Sequence, residues 1–444
     1  MEFLLSFLLL ALNLFNYEYN MGAMPFFALS AALVVFLFIT VNRKTKNFLT
    51  TCLILMCHVW QISWVNIFGT PTSELQLPWF YVVGVLILAY GLINIKDCFS
   101  RSYGAIPLMF FILLLVTFNY PLFISPNIAN GLKEYMPIGF FAIVLLVCYL
   151  FQGTMSEENY EHFKRSIIWA VFISSLALIF QYIMFKYGGV SLFKIAVMPS
   201  YSGYQTNCYL LMEDHSSATI MLGCAIFYIL DKIDKKRWAY MVPTLLIVIV
   251  SMALTARRTS TVSLIIVLAV YVMLHYRGFG KKIIFASLAF AAGALMIYYL
   301  LIVRPVDTLS QIMDDNGRIA TYIGALNIIK THPFGVGYDV DNLVSLMNGI
   351  YEPHCTILRW LCMGGLLFTT PIVYLIGFSA HVGQRKKATP EFWAILYTAF
   401  ASNFIPDILN ARFFIILCSV VFLLNREMTK NPTEPTVKSP LRGK

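Results

Sequence analysis

Charge is scarce in this chain. Only 12% of its 444 residues are charged, about half the share of a soluble globular protein. With 59% hydrophobic residues and a mean hydropathy of +0.74, that shortage excludes an ordinary soluble protein. Metal-finger spacing is missing too: the nine cysteines sit mostly inside apolar runs, so neither a disulfide framework nor a zinc site is indicated. No metal and no cofactor are expected. The apolar run at 3–15 lacks a basic leader region and a small-residue cleavage site, and is read as a spanning helix, not a removed signal. Internal repeats are absent. Acidic residues are outnumbered by basic ones, giving a net charge of +10. The basic residues cluster in short breaks between apolar runs, where they set membrane orientation and do not form a nucleic-acid surface.

What is present is a succession of apolar runs around twenty residues long. They predict an all-α polytopic membrane protein with about fourteen transmembrane helices. The runs lie near 2–16, 22–41, 48–69, 78–95, 103–121, 135–152, 166–186, 216–230, 238–255, 259–276, 283–303, 355–380, 392–408 and 411–425. Residues 1–430 form a single transmembrane domain, and the Pro-, Thr- and Lys-rich stretch 431–444 reads as a disordered cytoplasmic tail. Alternate breaks carry Arg43, Lys44 and Lys46; Lys96 and Arg101; Lys164 and Arg165; Lys232, Lys235, Lys236 and Arg237; Arg277, Lys281 and Lys282; and Arg385, Lys386 and Lys387. With an even number of helices and both ends inside, every one of these clusters and the tail from Arg426 faces the cytoplasm.

The outer side is then short loops and one long segment, 304–353, too long for a bare connection. It is expected to cover the site with amphipathic helices. Ile319, Tyr322, Ile323, Leu326 and Ile329 recur at helical spacing, which predicts a helix lying flat across the outer mouth and ending near His332 and Pro333. Gly335 and Gly337 make a turn after it, and a second short amphipathic stretch leads to His354.

Three basic residues lie where orientation does not require them. Arg257 and Arg258 occupy a tight outer turn, LTARRTSTV, between two apolar helices. At such depth an arginine costs roughly 2.5–3.5 kcal/mol unless it is paired or lines a watery cavity. The pair fits an anionic ligand; snorkelling to lipid headgroups is the alternative. Arg318 opens the flat helix, against the preference of a helix N-terminus for negative charge, and a bound phosphate would relieve that opposition. A salt bridge to Asp314 or Asp315 would relieve it as well.

His354 follows Glu352 and Pro353 at the entrance of a long helix, where its imidazole can accept a proton from a hydroxyl near neutral pH. A plain interfacial cap is the competing reading. His215, in EDHSS, is a weaker candidate among ordinary helix-capping residues. Asp339 and Asp341 form an outer pair that reads more simply as solvated loop acids than as a metal site, with Asp339 kept as a supporting residue.

Three segments together resemble the bacterial polysaccharide polymerase and O-antigen ligase superfamily. MALTARRTSTVSLII is similar to its arginine motif between helices, with the family arginine at Arg258. NGRIATYIGALNIIKTHPFGVGYD looks like its outer-loop pattern, in which an arginine opens a helix ending in a His-Pro turn and a Gly-x-Gly. EPHCTILRWLCMGGLLF resembles the histidine motif; Gly365 keeps the expected glycine, whereas Cys355 stands where asparagine, serine or glutamine is usual. The matched motifs span roughly residues 250–380 and set the extent of the likeness.

The resemblance implies a membrane glycosyltransferase in the bacterial plasma (inner) membrane with its site facing the periplasm. Its donor would be an oligosaccharide on undecaprenyl pyrophosphate. It implies Arg258 and Arg318 on the pyrophosphate with Arg257 in support, and His354 as the catalytic group on the acceptor hydroxyl. A polymerase would work with a chain-length regulator protein and a second lipid-linked repeat unit as acceptor; a ligase would use the lipid A core. Glu213 and Asp214 stand where ligases often carry an arginine, which tilts the reading toward a polymerase. A lipid-linked oligosaccharide flippase is the rival of another class, but it would show internal repeats and charges near the membrane midplane.

Overall fold

A computed structural model describes residues 1–69, 77–99, 101–190, 192, 195–200, 203–208, 210–212, 215–234, 238–255, 257–275, 278, 280, 282–283, 286–287, 290, 293–294, 318–349, 351–405, 408–409 and 411–424. Most of the helix expected at 283–303, residues 304–317 and the tail at 431–444 lie outside these residues. Where the backbone must satisfy its own hydrogen bonds in lipid, apolar runs become helices, and the other thirteen runs do so. They form α1 (Glu2–Tyr19), α2 (Ala23–Thr45), α3 (Phe48–Val59), α4 (Trp79–Ile93), α5 (Ala105–Thr117), α6 (Ile128–Leu150), α7 (Glu157–Gly188), α8 (His215–Asp234), α9 (Trp238–Leu254) and α10 (Arg258–His275), and later α13 (Thr356–Arg385), α14 (Thr389–Ala401) and α15 (Phe413–Leu423). Between them come two helices of the long loop, α11 (Arg318–Thr331) and α12 (Val340–Leu346). A two-stranded antiparallel hairpin, β1 (Ile195–Ser200) and β2 (Gly203–Cys208), joins α7 to α8. This hairpin is the one departure from a purely helical reading among the described residues.

Helix ends follow local chemistry. The Ser156 side chain accepts a bond from the Asn159 amide at the start of α7, Glu157 and Glu158 favour the positive end of its dipole, and Gly189 in left-handed conformation (φ 65) stops it. Asn127 likewise caps α6 through the Ala129 and Asn130 amides. These caps explain why both helices begin several residues before the apolar runs that predicted them.

Burial sorts the helices into a centre and a shell. α15 is buried at every residue and α3 at all but its first, as expected of helices apolar on all sides. α2, α5, α9 and α10 turn residues such as Phe36, Ile112, Leu246 and Val262 outward. An aliphatic shell of that kind requires lipid around it. Six helices are long and apolar enough to cross a membrane, with five shorter apolar ones beside them among the described residues. The chain is a multi-pass membrane protein.

Long-range polar contacts respect the alternation of loops. On the face bearing the basic clusters, Asn47 donates to the Thr154 carbonyl (3.1 Å), Arg101 to that of Gln152 (3.3 Å), Lys386 to that of Leu424 (2.7 Å), and Lys164 pairs with Asp231 (2.8 Å). On the opposite face, the Trp64 amide bonds the Leu211 carbonyl (3.0 Å), Asn130 bonds Asp341 (2.9 Å), and Thr356 bonds the Ile405 carbonyl (3.2 Å). None of these links joins one set of loops to the other, which accords with helices that alternate in direction.

Candidate functional site

The sequence candidates gather on the face opposite the basic clusters, and their frame begins with a break in α13. At Gly365 the backbone leaves the helical region (φ 64, ψ −165), a conformation essentially reserved for glycine. The break frees the carbonyls of Cys362 and Met363 from the helix ladder, and a buried carbonyl must find another donor. The amides of Val336 (2.8 Å) and Gly337 (3.0 Å) supply it. The turn after α11 therefore interlocks with the gap in α13. A Cβ at Gly335 would stand 2.3 Å from the Met363 carbonyl oxygen, and one at Gly365 would stand 2.3 Å from that of Pro333. On its other side the turn is fixed by Tyr338, whose amide bonds the Ser125 hydroxyl (2.8 Å) and whose phenol donates to the Phe118 carbonyl (2.7 Å).

α11 begins at Arg318 and ends at Thr331, close to the bounds expected from the sequence. Thr321, Ala325 and Ile328 are buried, and the Cys362 thiol donates to the Ala325 carbonyl at 3.5 Å. Ile319, Ile323 and Leu326, whose spacing pointed to the helix, are exposed. Small side chains at 321 and 325 let α11 approach α13 closely, which bulky ones would prevent.

His354 sits half-buried just before α13. Its Nδ1 lies 3.2 Å from the Glu352 carbonyl oxygen. A carbonyl only accepts, so Nδ1 is the donor in this contact, and Nε2 is the nitrogen that can accept when the ring is neutral. No bond to Nε2 occurs among the described residues. The Tyr322 hydroxyl, one helical turn from Arg318, approaches the carbonyls of His354 (3.1 Å) and Asn403 (3.2 Å). Burial pushes the Tyr322 phenol above its usual range, with Cys355 adding to the effect and Arg318 opposing it; it remains a neutral donor at physiological pH. Tyr322 thus ties α11, four residues after Arg318, to the main chain at His354. No carboxylate pairs with Arg318 among the described residues; Asp314 and Asp315 lie outside them.

The arginine turn stands on the other flank of α14. Arg258 opens α10, and its side chain lies outside the described residues. Arg257 is half-buried, and its carbonyl accepts the Thr261 hydroxyl at 2.9 Å. One turn on, the Ser260 carbonyl receives the Tyr397 hydroxyl of α14 at 3.1 Å. Six residues beyond Tyr397, roughly 9 Å along a helix, comes Asn403, which Tyr322 touches. His215 opens α8, and its side chain, like that of Arg258, lies outside the described residues.

Asp339 has a different place from the one its sequence suggested. It is 4% exposed, and its Oδ1 caps α12 by accepting the amides of Asp341 (3.2 Å) and Asn342 (3.4 Å). Its neighbour Asp341 is held by Asn130 at 2.9 Å. Asp341 thus ties the covering loop to α6, while Asp339 shapes the start of α12.

Other residues escaped sequence reasoning. Arg359, 2% exposed, donates from Nε to Glu352 (2.6 Å) and from Nη2 to Glu134 of α6 (2.8 Å). Arg412, 6% exposed before α15, bonds the Ser63 carbonyl and lies over the Tyr81 ring, 4.8 Å from its centroid. It too sits opposite the basic clusters, a violation of the charge rule that a scan for misplaced arginines would have found. An open cleft of about 480 Å³ runs beside α11, lined by Gly324, Asn327, Thr331, His332, Met347 and Asn348 among others.

The fold is that of a polytopic helical membrane protein, with Arg318 and His354 as candidate site residues at one face. Residues 243–370 match the family model described as O-Antigen ligase. The match covers α9, α10 and the covering loop through the break in α13, and it supports the O-antigen ligase and polymerase superfamily. No curated protein matches the chain.

Proposed function

We propose that this protein is a polysaccharide polymerase that joins glycan repeat units carried on undecaprenyl pyrophosphate, at the periplasmic face of a bacterial inner membrane. The family match supports a membrane enzyme of glycosyl-transfer type. The observation that carries the reading further is His354: its Nδ1 is committed to the Glu352 carbonyl, which leaves Nε2 as a base beside the helix that Arg318 opens.

In the proposed reaction an acceptor sugar hydroxyl attacks the anomeric carbon of the donor glycan. Its proton passes to His354 Nε2 while the bond from the anomeric carbon to the phosphate oxygen breaks. Arg258 and Arg318, supported by Arg257, stabilise the negative charge gathering on the departing lipid pyrophosphate. The cleft beside α11 offers neutral hydrogen-bonding groups, including Asn327, Thr331 and Asn348, which suit an uncharged, hydroxyl-rich ligand. The membrane lipids hold the carrier's tail, and a chain-length regulator protein is the proposed partner in the membrane.

A ligase that transfers finished glycan to the lipid A core is the second reading, favoured by the description of the matching family model. Deleting the gene separates the two. Loss of a polymerase leaves single repeat units on the lipopolysaccharide; loss of a ligase leaves long polymer on the lipid carrier and bare core at the cell surface. Normal long-chain surface glycan after deletion would refute both.

A further inference from the structure

Arg359 is an unusual residue for its position. It lies one turn inside α13, in the apolar sequence TILRWLCMGG, and is 2% exposed. A buried guanidinium is retained only when its donors are satisfied, and here two carboxylates from distant parts of the chain serve it. Glu352 comes from the loop two residues before His354, and Glu134 from the outer end of α6. The same loop residue, Glu352, gives its side chain to Arg359 and its main-chain carbonyl to His354 Nδ1 at 3.2 Å. A shift of Glu352 therefore moves the carbonyl that fixes the imidazole's tautomer and aim. The same end of α6 holds the covering loop through Asn130 and Asp341.

We propose that the Glu134–Arg359–Glu352 clamp is the positioning device for His354, holding its Nε2 toward the acceptor hydroxyl. This rests on the role given to His354 above and adds to it. Arg359 and Glu134 touch no substrate; they act through the Glu352 carbonyl. The clamp is rigid because a planar guanidinium binds two carboxylates in fixed directions, which a lysine at 359 would not do. Misplacing a catalytic group by about 1 Å is enough to cost on the order of 100-fold in rate. Loosening the clamp should accordingly lower kcat and leave donor binding intact.

The test uses four purified full-length proteins: wild type, Glu134→Gln, His354→Gln and the double variant. Steady-state extension at varied concentrations of a radiolabelled, purified lipid-linked donor, with acceptor saturating, gives kcat and donor KM. Glu134→Gln keeps the shape of the site and removes one charge; Glu134→Asp, which shortens the reach, replaces it if the first variant does not fold. The expected result is a fall in kcat of about tenfold or more with donor KM within about twofold. His354→Gln should retain about 10⁻²–10⁻⁴ of the wild-type rate, and adding Glu134→Gln to it should change little, because both act through one imidazole. Equal fractional losses in the two backgrounds, a loss confined to KM, or wild-type kcat in Glu134→Gln would overturn the clamp while leaving His354 in place. A wild-type rate in His354→Gln would instead overturn the underlying reading, and the clamp with it.

Discussion

Replacing Gly365 by alanine should open the junction between α13 and the turn after α11. The glycine holds φ 64 and ψ −165, a region costing an L-residue about 1–3 kcal/mol. The new Cβ would also stand 2.3 Å from the Pro333 carbonyl oxygen and 2.9 Å from Phe334 Cα. Both atoms are backbone, so relief requires the turn to withdraw. Withdrawal loses the bonds from the Val336 and Gly337 amides, each worth about 0.5–1.5 kcal/mol. Those bonds are lost on opening in either protein, so the strain of about 1–3 kcal/mol in the closed variant sets the shift, a population of the opened junction raised by about 5-fold to 150-fold. The buried thiol of Cys362, beneath α11, reports that opening directly. Its alkylation rate in detergent-purified protein, read peptide by peptide, should rise steeply in Gly365→Ala. Gly377, in the same helix with open space where a Cβ would go, is the control and should leave the rate unchanged. If Gly365→Ala labels Cys362 no faster than the wild type or Gly377→Ala, the interlock is not what closes the site.

Arg258→Lys should lower activity well below wild type, because a point charge cannot reproduce the forked contact of a guanidinium with phosphate oxygens; normal glycan length in cells carrying this variant would count against a pyrophosphate site there. Asp339→Asn should keep the α12 cap and full activity, whereas Asp339→Ala should cost about 0.5–2 kcal/mol of stability. Unfolding midpoints and turnover of the two variants check this, and an inactive Asp339→Asn would return Asp339 to the reacting centre. For orientation, a cysteine placed at Asn342 should react with a membrane-impermeant thiol reagent in intact cells and one at Lys236 should not. The reverse pattern would invert the topology.

Much of the architecture was legible because the bilayer imposes it. Apolar run length fixed where helices fall, and the alternation of basic breaks fixed their direction; the cross-loop bonds of Asn47, Lys164, Asn130 and Thr356 fall on the predicted faces. Arg318 and His354 stood out as candidates because each sits at a helix entrance where its chemistry is anomalous. The contact face of α11 was not legible for a physical reason: periodicity marks the bulky side chains, but close helix contact selects small ones, here Thr321 and Ala325. Asp339 looked like a loop acid because a capping bond to its own backbone leaves no mark beyond its type. The Arg359 clamp was hidden because its partners are 7 and 225 residues away; nothing local in TILRWL announces Glu134. The pairing of Gly365 with the Gly335 turn was unreadable on the same ground, although both glycines were noticed separately.

The most direct test of the central claim is extension of a purified undecaprenyl-pyrophosphate-linked repeat unit by the purified protein alone, with products resolved by length. The account predicts lipid-linked chains of two or more repeats, one free carrier pyrophosphate released per bond formed, and no elongation by His354→Ala despite normal donor binding. Elongation by His354→Ala at the wild-type rate, or glycan transfer that occurs only when a lipid A core acceptor is added, would contradict it.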